Sequence, residues 1–260
     1  MDWHIALAGL LVGTAVGLSG VGGSSLMMPV LVLLLGVQPL VAVGTDLAYS
    51  VPTKLVGMFV HARQHTVRWK LVLLLCVGGV PGALAGVFAL GVIKRMISID
   101  QLNEYLRHGI GILLFVVAAL ILVQLVWNNV QQRQAKKKND WVPLRPKAPH
   151  IALVGFTVGF LVSISSIGAG SITMMLLLVL PRMRLQELVG SNVAFAAIIV
   201  PIAAAGHFAL GSINFPMTLN LLLGSIPGVL IGSRLCGILP DTVIRPATAG
   251  VMALAGARLF

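Results

Sequence analysis

Acidic side chains are scarce in this chain. Asp and Glu together number seven in 260 residues, and charged residues of all kinds make up only 10%. A soluble domain carries about 25% charge, so a water-soluble globular fold is excluded. Cysteine is nearly absent as well: Cys76 and Cys236 lie within or at the end of apolar runs and show no metal-ligand spacing. A disulfide framework or a structural metal site is therefore not expected. Six scattered histidines without carboxylate or cysteine clusters do not make a metal pathway either, and no cofactor is implied. The N-terminus, "MDWHIALAGL", has no basic leading region and no clear small-residue cleavage site, so it reads as retained membrane domain rather than signal peptide.

What the chain has instead is hydrophobic length. Apolar residues reach 58% and mean hydropathy is +1.00. Runs long enough to span a bilayer, about 20 residues each, fall near 41–60, 71–91, 105–127, 186–208, 217–235 and 242–259. Two further regions, 5–35 and 151–180, are apolar but interrupted by Gly and Ser. These eight elements predict an all-α polytopic membrane protein with no room for a soluble catalytic domain. The net charge of +11 is concentrated in "RQAKKKNDWVPLRPK" (Arg133–Lys147), which holds six of the eighteen Lys and Arg. Such a run can bind nucleic acid, but between hydrophobic elements it reads as a cytoplasmic loop obeying the positive-inside rule. The expected division is a first membrane repeat over 1–127, a basic cytoplasmic linker over 128–149 and a second membrane repeat over 150–260.

The repeat is visible at a fixed offset of 146 residues. Gly9, Gly13, Ser19, Gly22 and Ser25 pair with Gly155, Gly159, Ser165, Gly168 and Ser171. "VGTDLA" (Val43–Ala48) pairs with "VGSNVA" (Val189–Ala194), His61 with His207, and "GGVPG" (Gly78–Gly82) with "GSIPG" (Gly224–Gly228). Equivalent loops differ in charge. Arg63, Arg68 and Lys70 follow the second element of the first half, whereas "HFALGSINFP" (His207–Pro216) carries none; conversely, Gly36 and Gln38 correspond to Arg182 and Arg184. Opposite charge signatures at equivalent loops predict two inverted repeats of about four elements each. Lys94 and Arg95 are the exception, because this topology puts them outside. Residues 5–35 and 151–180 then become re-entrant hairpins turning at "SGVGGSS" (Ser19–Ser25) and "SSIGAGS" (Ser165–Ser171). Arms of roughly 10–14 residues, about 15–21 Å at 1.5 Å per residue, reach the bilayer centre without crossing it.

Non-helical backbone at membrane depth survives only where protein or a polar cavity covers it. The same glycines could serve close helix packing alone; their pairing at two tips favours a site. Half-helices starting near Ser25 and Ser171 would aim backbone N–H groups at an anion. The candidate substrate-binding residues are Ser19, Gly22, Gly23, Ser24 and Ser25 on the first tip, and Ser165, Ser166, Gly168, Gly170 and Ser171 on the second. Thr45, Ser191, Asn192 and Lys54 join them from neighbouring helices. Lys54 and Asp46 are charges inside the apolar run 41–60, and such charges mark function by default. Lys54 is the candidate counter-charge and Asp46 the candidate proton carrier, with His61 and His207 next in line. At eight residues apart, about 12 Å along a helix, Asp46 and Lys54 are not expected to pair.

The stretch from "GLLVGTAVGLSGVGGSSLMMP" through "GTDLAYSVPTK" to "HARQHTVRWK" resembles the TauE/SafE family of sulfite exporters and anion permeases. "GHFALGSINF" followed by "LLLGSIPGVLIGSRL" is similar to the family's second-half signature, so the resemblance covers essentially the whole chain. It implies a bacterial or archaeal inner-membrane transporter of sulfur oxyanions or organosulfonates, such as sulfite or sulfoacetate. The Gly-rich hairpins, Thr45, Asp46 and Lys54 sit at family-typical positions. Many relatives read "GTD" in the second half too, where this chain has Gly190-Ser191-Asn192. The expected partners are a small anion and the bilayer, not nucleic acid; monomer or homodimer, and import or export, remain open. Two competing readings are a transporter or channel for another solute, and a rhomboid-like protease using Ser19 within "GLSG" (Gly17–Gly20). The symmetric twin of Ser19, Ser165, argues against a single nucleophile.

Overall fold

The computed structural model describes residues 3–19, 24–135, 148–168, 170, 173, 185–235 and 241–259. The described residues are almost entirely helical, as an all-α membrane protein requires. The helices are α1 (Trp3–Ser19), α2 (Ser24–Pro29), α3 (Pro39–Arg63), α4 (Trp69–Met96), α5 (Ile99–Ala135), α6 (Ala148–Ser165), α7 (Leu185–Ala209), α8 (Phe215–Leu235) and α9 (Asp241–Leu259). Four stretches among them are long and apolar enough to cross a membrane: α4, Ile99–Val123 of α5, α6, and Gln186–Ala209 of α7. Helix α2 contains Pro29 and passes into a π-helical turn, Val30–Leu34, because a proline cannot donate to the regular ladder. Pro39 occupies the first turn of α3, where its missing N–H costs nothing, and the Leu40 N–H donates to Asn103 Oδ1 at 3.1 Å.

Glycine sets the packing. Helix α1 lies along α8 and α6 lies along α4, so each half lends its first helix to the other half. A Cβ on Gly9 would meet the backbone of Leu221, and one on Gly155 the backbone of Leu75. Gly13 abuts Ser225 as Gly159 abuts Gly79, and Gly82 abuts Phe156 as Gly228 abuts Leu10. Every one of these pairs maps onto its twin by the offset of 146. Close backbone approach of this kind is how small residues hold membrane helices together.

Helices α3 and α7 are sequence equivalents, and they run antiparallel. Gly44, near the start of α3, faces Ser212 just beyond the end of α7; Gly190, near the start of α7, faces Thr66 just beyond the end of α3. Two reciprocal hydrogen bonds fix the crossing: Arg68 N–H donates to Ser191 Oγ at 3.0 Å, and Asn214 N–H donates to Thr45 Oγ1 at 3.1 Å. The loop after α3 therefore shares a face with the start of α7, and the loop after α7 shares the other face with the start of α3. Lys94 lies on that second face, where its Nζ donates to the Leu210 carbonyl at 2.6 Å. The outlying positive charge of Lys94 thus satisfies a part-buried carbonyl just beyond the end of α7.

One expectation needs correction. The helices that lead into the two Gly/Ser-rich segments, α1 and α6, are 17 and 18 residues long, not the 10–14 expected of hairpin arms. At 1.5 Å per residue α1 and α6 reach about 26–27 Å, which is most of the hydrocarbon core. Gly155 and Gly159 do not shorten α6 because each is packed against α4, so tertiary contact offsets the conformational freedom that glycine brings.

Candidate functional site

Of the second tip, Ser165–Gly168 and Gly170 lie within the described residues. Helix α6 stops at Ser165, whose hydroxyl donates to the Leu161 carbonyl at 2.7 Å and accepts the Ile167 N–H at 3.1 Å. Ser166 then takes φ 58° and Gly168 takes φ 112°. The first value is uncommon for any residue but glycine, and the second is glycine territory. Thr173 closes the turn, its N–H and its hydroxyl reaching the Gly168 carbonyl at 3.3 and 3.2 Å. A non-glycine residue at positive φ persists only where its surroundings over-determine it. Here the surrounding group is Asp46, whose Oδ2 accepts the Ser166 hydroxyl at 2.7 Å. Both residues are fully buried, at 0% and 1% exposure.

Asn192, the sequence twin of Asp46, holds the other end of the tip. Its Nδ2 donates to the Gly170 carbonyl at 3.0 Å. The tip therefore runs from α3 to α7, tied at Ser166 to an acid and at Gly170 to an amide. In each case one oxygen remains over: Asp46 Oδ1 and Asn192 Oδ1 are buried and have no hydrogen-bond partner among the described residues. Buried unpaired acceptors are costly, so both atoms mark places where a donor, proton or solute is called for.

The remaining candidates divide by geometry. The hydroxyls of Thr45 and Ser191 are the acceptors of the α3–α7 crossing described above. Lys54 is half-buried on α3 and makes no ion pair with Asp46; the ion pair found among the described residues is Arg68–Glu187, at 2.8 Å. His61 Nδ1 meets Thr66 Oγ1 at 3.0 Å, and its twin His207 Nδ1 meets Ser212 Oγ at 2.8 Å. His207 is also tied through Nε2 to the Ser163 carbonyl at 2.8 Å, an arrangement that suits a proton on Nε2 and an accepting Nδ1. Ser19, Ser24 and Ser25 fall on α1 and α2, but their side chains lie outside the described ones. Gly22, Gly23 and Ser171 lie outside the described residues altogether, as does Cys236. Among the described residues no group of three metal-ligating side chains forms.

Sequence reasoning missed Thr66, Ser163, Ser212 and Asn214. Thr66 and Ser212 obey the same offset of 146, so extending the pairing past His61 and His207 would have found them. Ser163 carries no such signal, because it reaches His207 through its backbone.

Four apolar spans of membrane-crossing length, and a helix end tied between two antiparallel helices, define an all-α polytopic membrane protein. The family is shown by comparison: the chain belongs to the family described as Sulfite exporter TauE/SafE, whose profile matches residues 5–259. It is 37% identical over 263 residues to the "Probable membrane transporter protein YjnA" of Bacillus subtilis (strain 168), covering 100% of both chains. It is 26% identical to YdhB of the same organism, over 98% of this chain and 99% of that one. A "Probable membrane transporter protein" of Xylella fastidiosa is 25% identical over 88% of this chain and 82% of its own. No solved structure matches. The protein is accordingly an integral membrane transporter and not an enzyme, which sets aside the protease reading of Ser19.

Proposed function

We propose that the protein is a secondary transporter of small anions, of the sulfur oxyanion or organosulfonate type, coupled to protons. It works by alternating access between two inverted repeats. The observation that carries this reading is Asp46, a buried acid with one oxygen tied to the strained Ser166 of the second tip and the other unpartnered among the described residues. An acid so placed links its own protonation to the position of the tip. The antiparallel α3–α7 pair supports the inversion, since a two-fold that relates antiparallel helices lies across them, in the plane of the membrane.

In this reading the Gly168–Gly170 backbone and Asn192 meet the substrate, Lys54 supplies a counter-charge, and the first tip contributes Gly22, Gly23, Ser24 and Ser25. Ser19, Ser165, Ser171, Thr45 and Ser191 frame the two tips. His61 and His207 are the alternative proton carriers. The test is uptake by proteoliposomes of sulfite, thiosulfate, sulfate and organosulfonates, with and without a proton gradient. Saturable flux of one of these anions that rises with the gradient supports the reading. Equal, unsaturable flux of all solutes would make the protein a channel instead.

A further inference from the structure

The two ends of the α3–α7 crossing are chemical twins, but they are not equally open. At one end lies a cleft of about 480 Å³ lined by His61, Gln64, Thr66, Gln186 and Val189. Each of these residues is at least partly exposed. Their twins at the other end are His207, Leu210, Ser212, Leu40 and Val43. Four of the five are buried, with exposures of 0% for His207 and Val43, 2% for Ser212 and 5% for Leu40. The same chain positions are thus exposed at one face and buried at the other. The backbone locks are intact at both ends, Arg68 to Ser191 and Asn214 to Thr45, so the difference lies in the side chains around them. Among the described residues the shut end has further ties: Nε2 of His207 to the Ser163 carbonyl and Lys94 to the Leu210 carbonyl. The open end has the Arg68–Glu187 pair, whose side chains are 50% and 25% exposed.

We propose that the cleft at His61, Gln64, Thr66, Gln186 and Val189 is the cytoplasmic mouth of the transport path, and that Leu40, Val43, His207 and Ser212 form its closed external gate. The assignment of faces follows from Arg63, Arg68 and Lys70, which lie at the open end. The mouth suits a small hydrated anion. The amides of Gln64 and Gln186 and the hydroxyl of Thr66 line it, and Arg63 and Arg68 stand on the same loop side. Val189 lies one turn before Asn192 on α7, so the mouth opens a single turn from the residue that holds Gly170. Exchange of the two conformations between twins gives the opposite state: the cleft packs shut and the gate separates. This proposal rests on the transporter reading above and adds which end is open and which residues close the other.

The experiment uses the full chain in a Cys76→Ser, Cys236→Ser background with single substitutions Val189→Cys or Val43→Cys. Labelling by a membrane-impermeant maleimide is followed from the cytoplasmic side in inverted vesicles and from the outside in intact cells. No anion is added, so an incorrect substrate assignment leaves the result unchanged. Val189→Cys should react at least about tenfold faster than Val43→Cys, because a partly exposed thiol is open to the reagent and a buried one is inert. Adding Lys94→Ala, which removes the tie to Leu210, should speed Val43→Cys and slow Val189→Cys. Equal labelling of the two positions, or both rates moving in the same direction, overturns the proposal. A second measurement is independent of how Lys94→Ala folds. The pair Thr45→Cys with Asn214→Cys should close to a disulfide when the resting protein is treated with a mild oxidant, which takes up the two electrons, and Val189→Cys labelling should be preserved in that bridged form. Failure to bridge, or loss of that labelling, overturns it equally.

Discussion

Asp46 and Asn192 occupy twin positions, yet only one of them can change charge. The amide of Asn192 donates to the Gly170 carbonyl, and a carboxylate in its place could do so only in its protonated form. Asn192→Asp should therefore make the second tie depend on pH. The tie is present where the acid holds its proton and is lost as pH rises through its titration, so transport should gain a second proton dependence. The ratio of protons to anions moved in proteoliposomes checks this; an unchanged ratio would mean that the tie has no part in coupling. Asp46→Asn should do the reverse, keeping anion binding and exchange while removing gradient-driven net flux. If gradient-driven flux survives in Asp46→Asn, the coupling group lies elsewhere. Lys54→Ala should weaken anion affinity about ten- to hundredfold at every pH, the loss of one charge-assisted contact at about 1.5–3 kcal/mol, as measured by equilibrium binding. The histidines should differ in stability. His207 is buried with both ring nitrogens engaged, so His207→Ala leaves the Ser163 carbonyl short of its donor, at about 1–3 kcal/mol, while the Ser212 hydroxyl keeps the backbone carbonyl of residue 207. Half-exposed His61 should tolerate alanine better, and thermal denaturation in detergent compares the two.

At the scale of the helix, two kinds of glycine need to be distinguished. Gly78 and Gly224 sit where a Cβ would run into the backbone of Ala152 and of Ala6. Valine at either should reduce folded yield, because backbone cannot move aside as a flexible side chain can. Gly109 has open space within 4 Å of where a Cβ would stand, so it should accept alanine without loss. Gly168 is different again. Its φ of 112° disfavours any side chain, so Gly168→Val should abolish anion binding; if the glycine serves the tip alone, size-exclusion profiles stay intact while binding is lost. The glycine register of "GGVPG" and "GSIPG" was legible in the sequence because packing against backbone tolerates so few residue types. The tip at Ser165–Gly170 was legible for a related reason, since clustered Gly and Ser stand out against an apolar background. The lengths of α1 and α6 were not, because glycine reads as a helix breaker until the neighbouring helix that compensates it is known. Nor could the sequence reveal that Thr45 and Ser191 hold the loops opposite them, since those bonds join residues 169 and 123 positions apart.

For the molecule as a whole, the arrangement of charge and the direction of the helices make separate claims about the same two-fold. The basic loop around Arg63, Arg68 and Lys70 lies beside the start of α7, joined through Arg68 to Glu187 and Ser191. The uncharged loop after α7 lies beside the start of α3, joined through Asn214 to Thr45. In the proposed orientation the positive-inside rule puts the first face in the cytoplasm; Lys94 and Arg95 are the exceptions on the other face, where the Lys94 side chain donates to the Leu210 carbonyl. An exposed pair such as Arg68–Glu187 contributes little to stability, about 1 kcal/mol or less, so orientation rests on the loops' summed charge rather than on that bond. The orientation is open to direct measurement with single cysteines at exposed positions, in a background without Cys76 and Cys236. Gln38→Cys and Asn214→Cys should react with an impermeant thiol reagent added to intact cells, whereas Gln64→Cys and Gln186→Cys should react only after the membrane is opened or inverted. Gln38 and Gln186 precede or begin twin helices, α3 and α7, so a parallel repeat requires them to label from the same side. Labelling of both from the outside, with Gln64 protected, would leave the antiparallel α3–α7 pair without a membrane orientation consistent with its contacts, and the inverted arrangement would have to be abandoned.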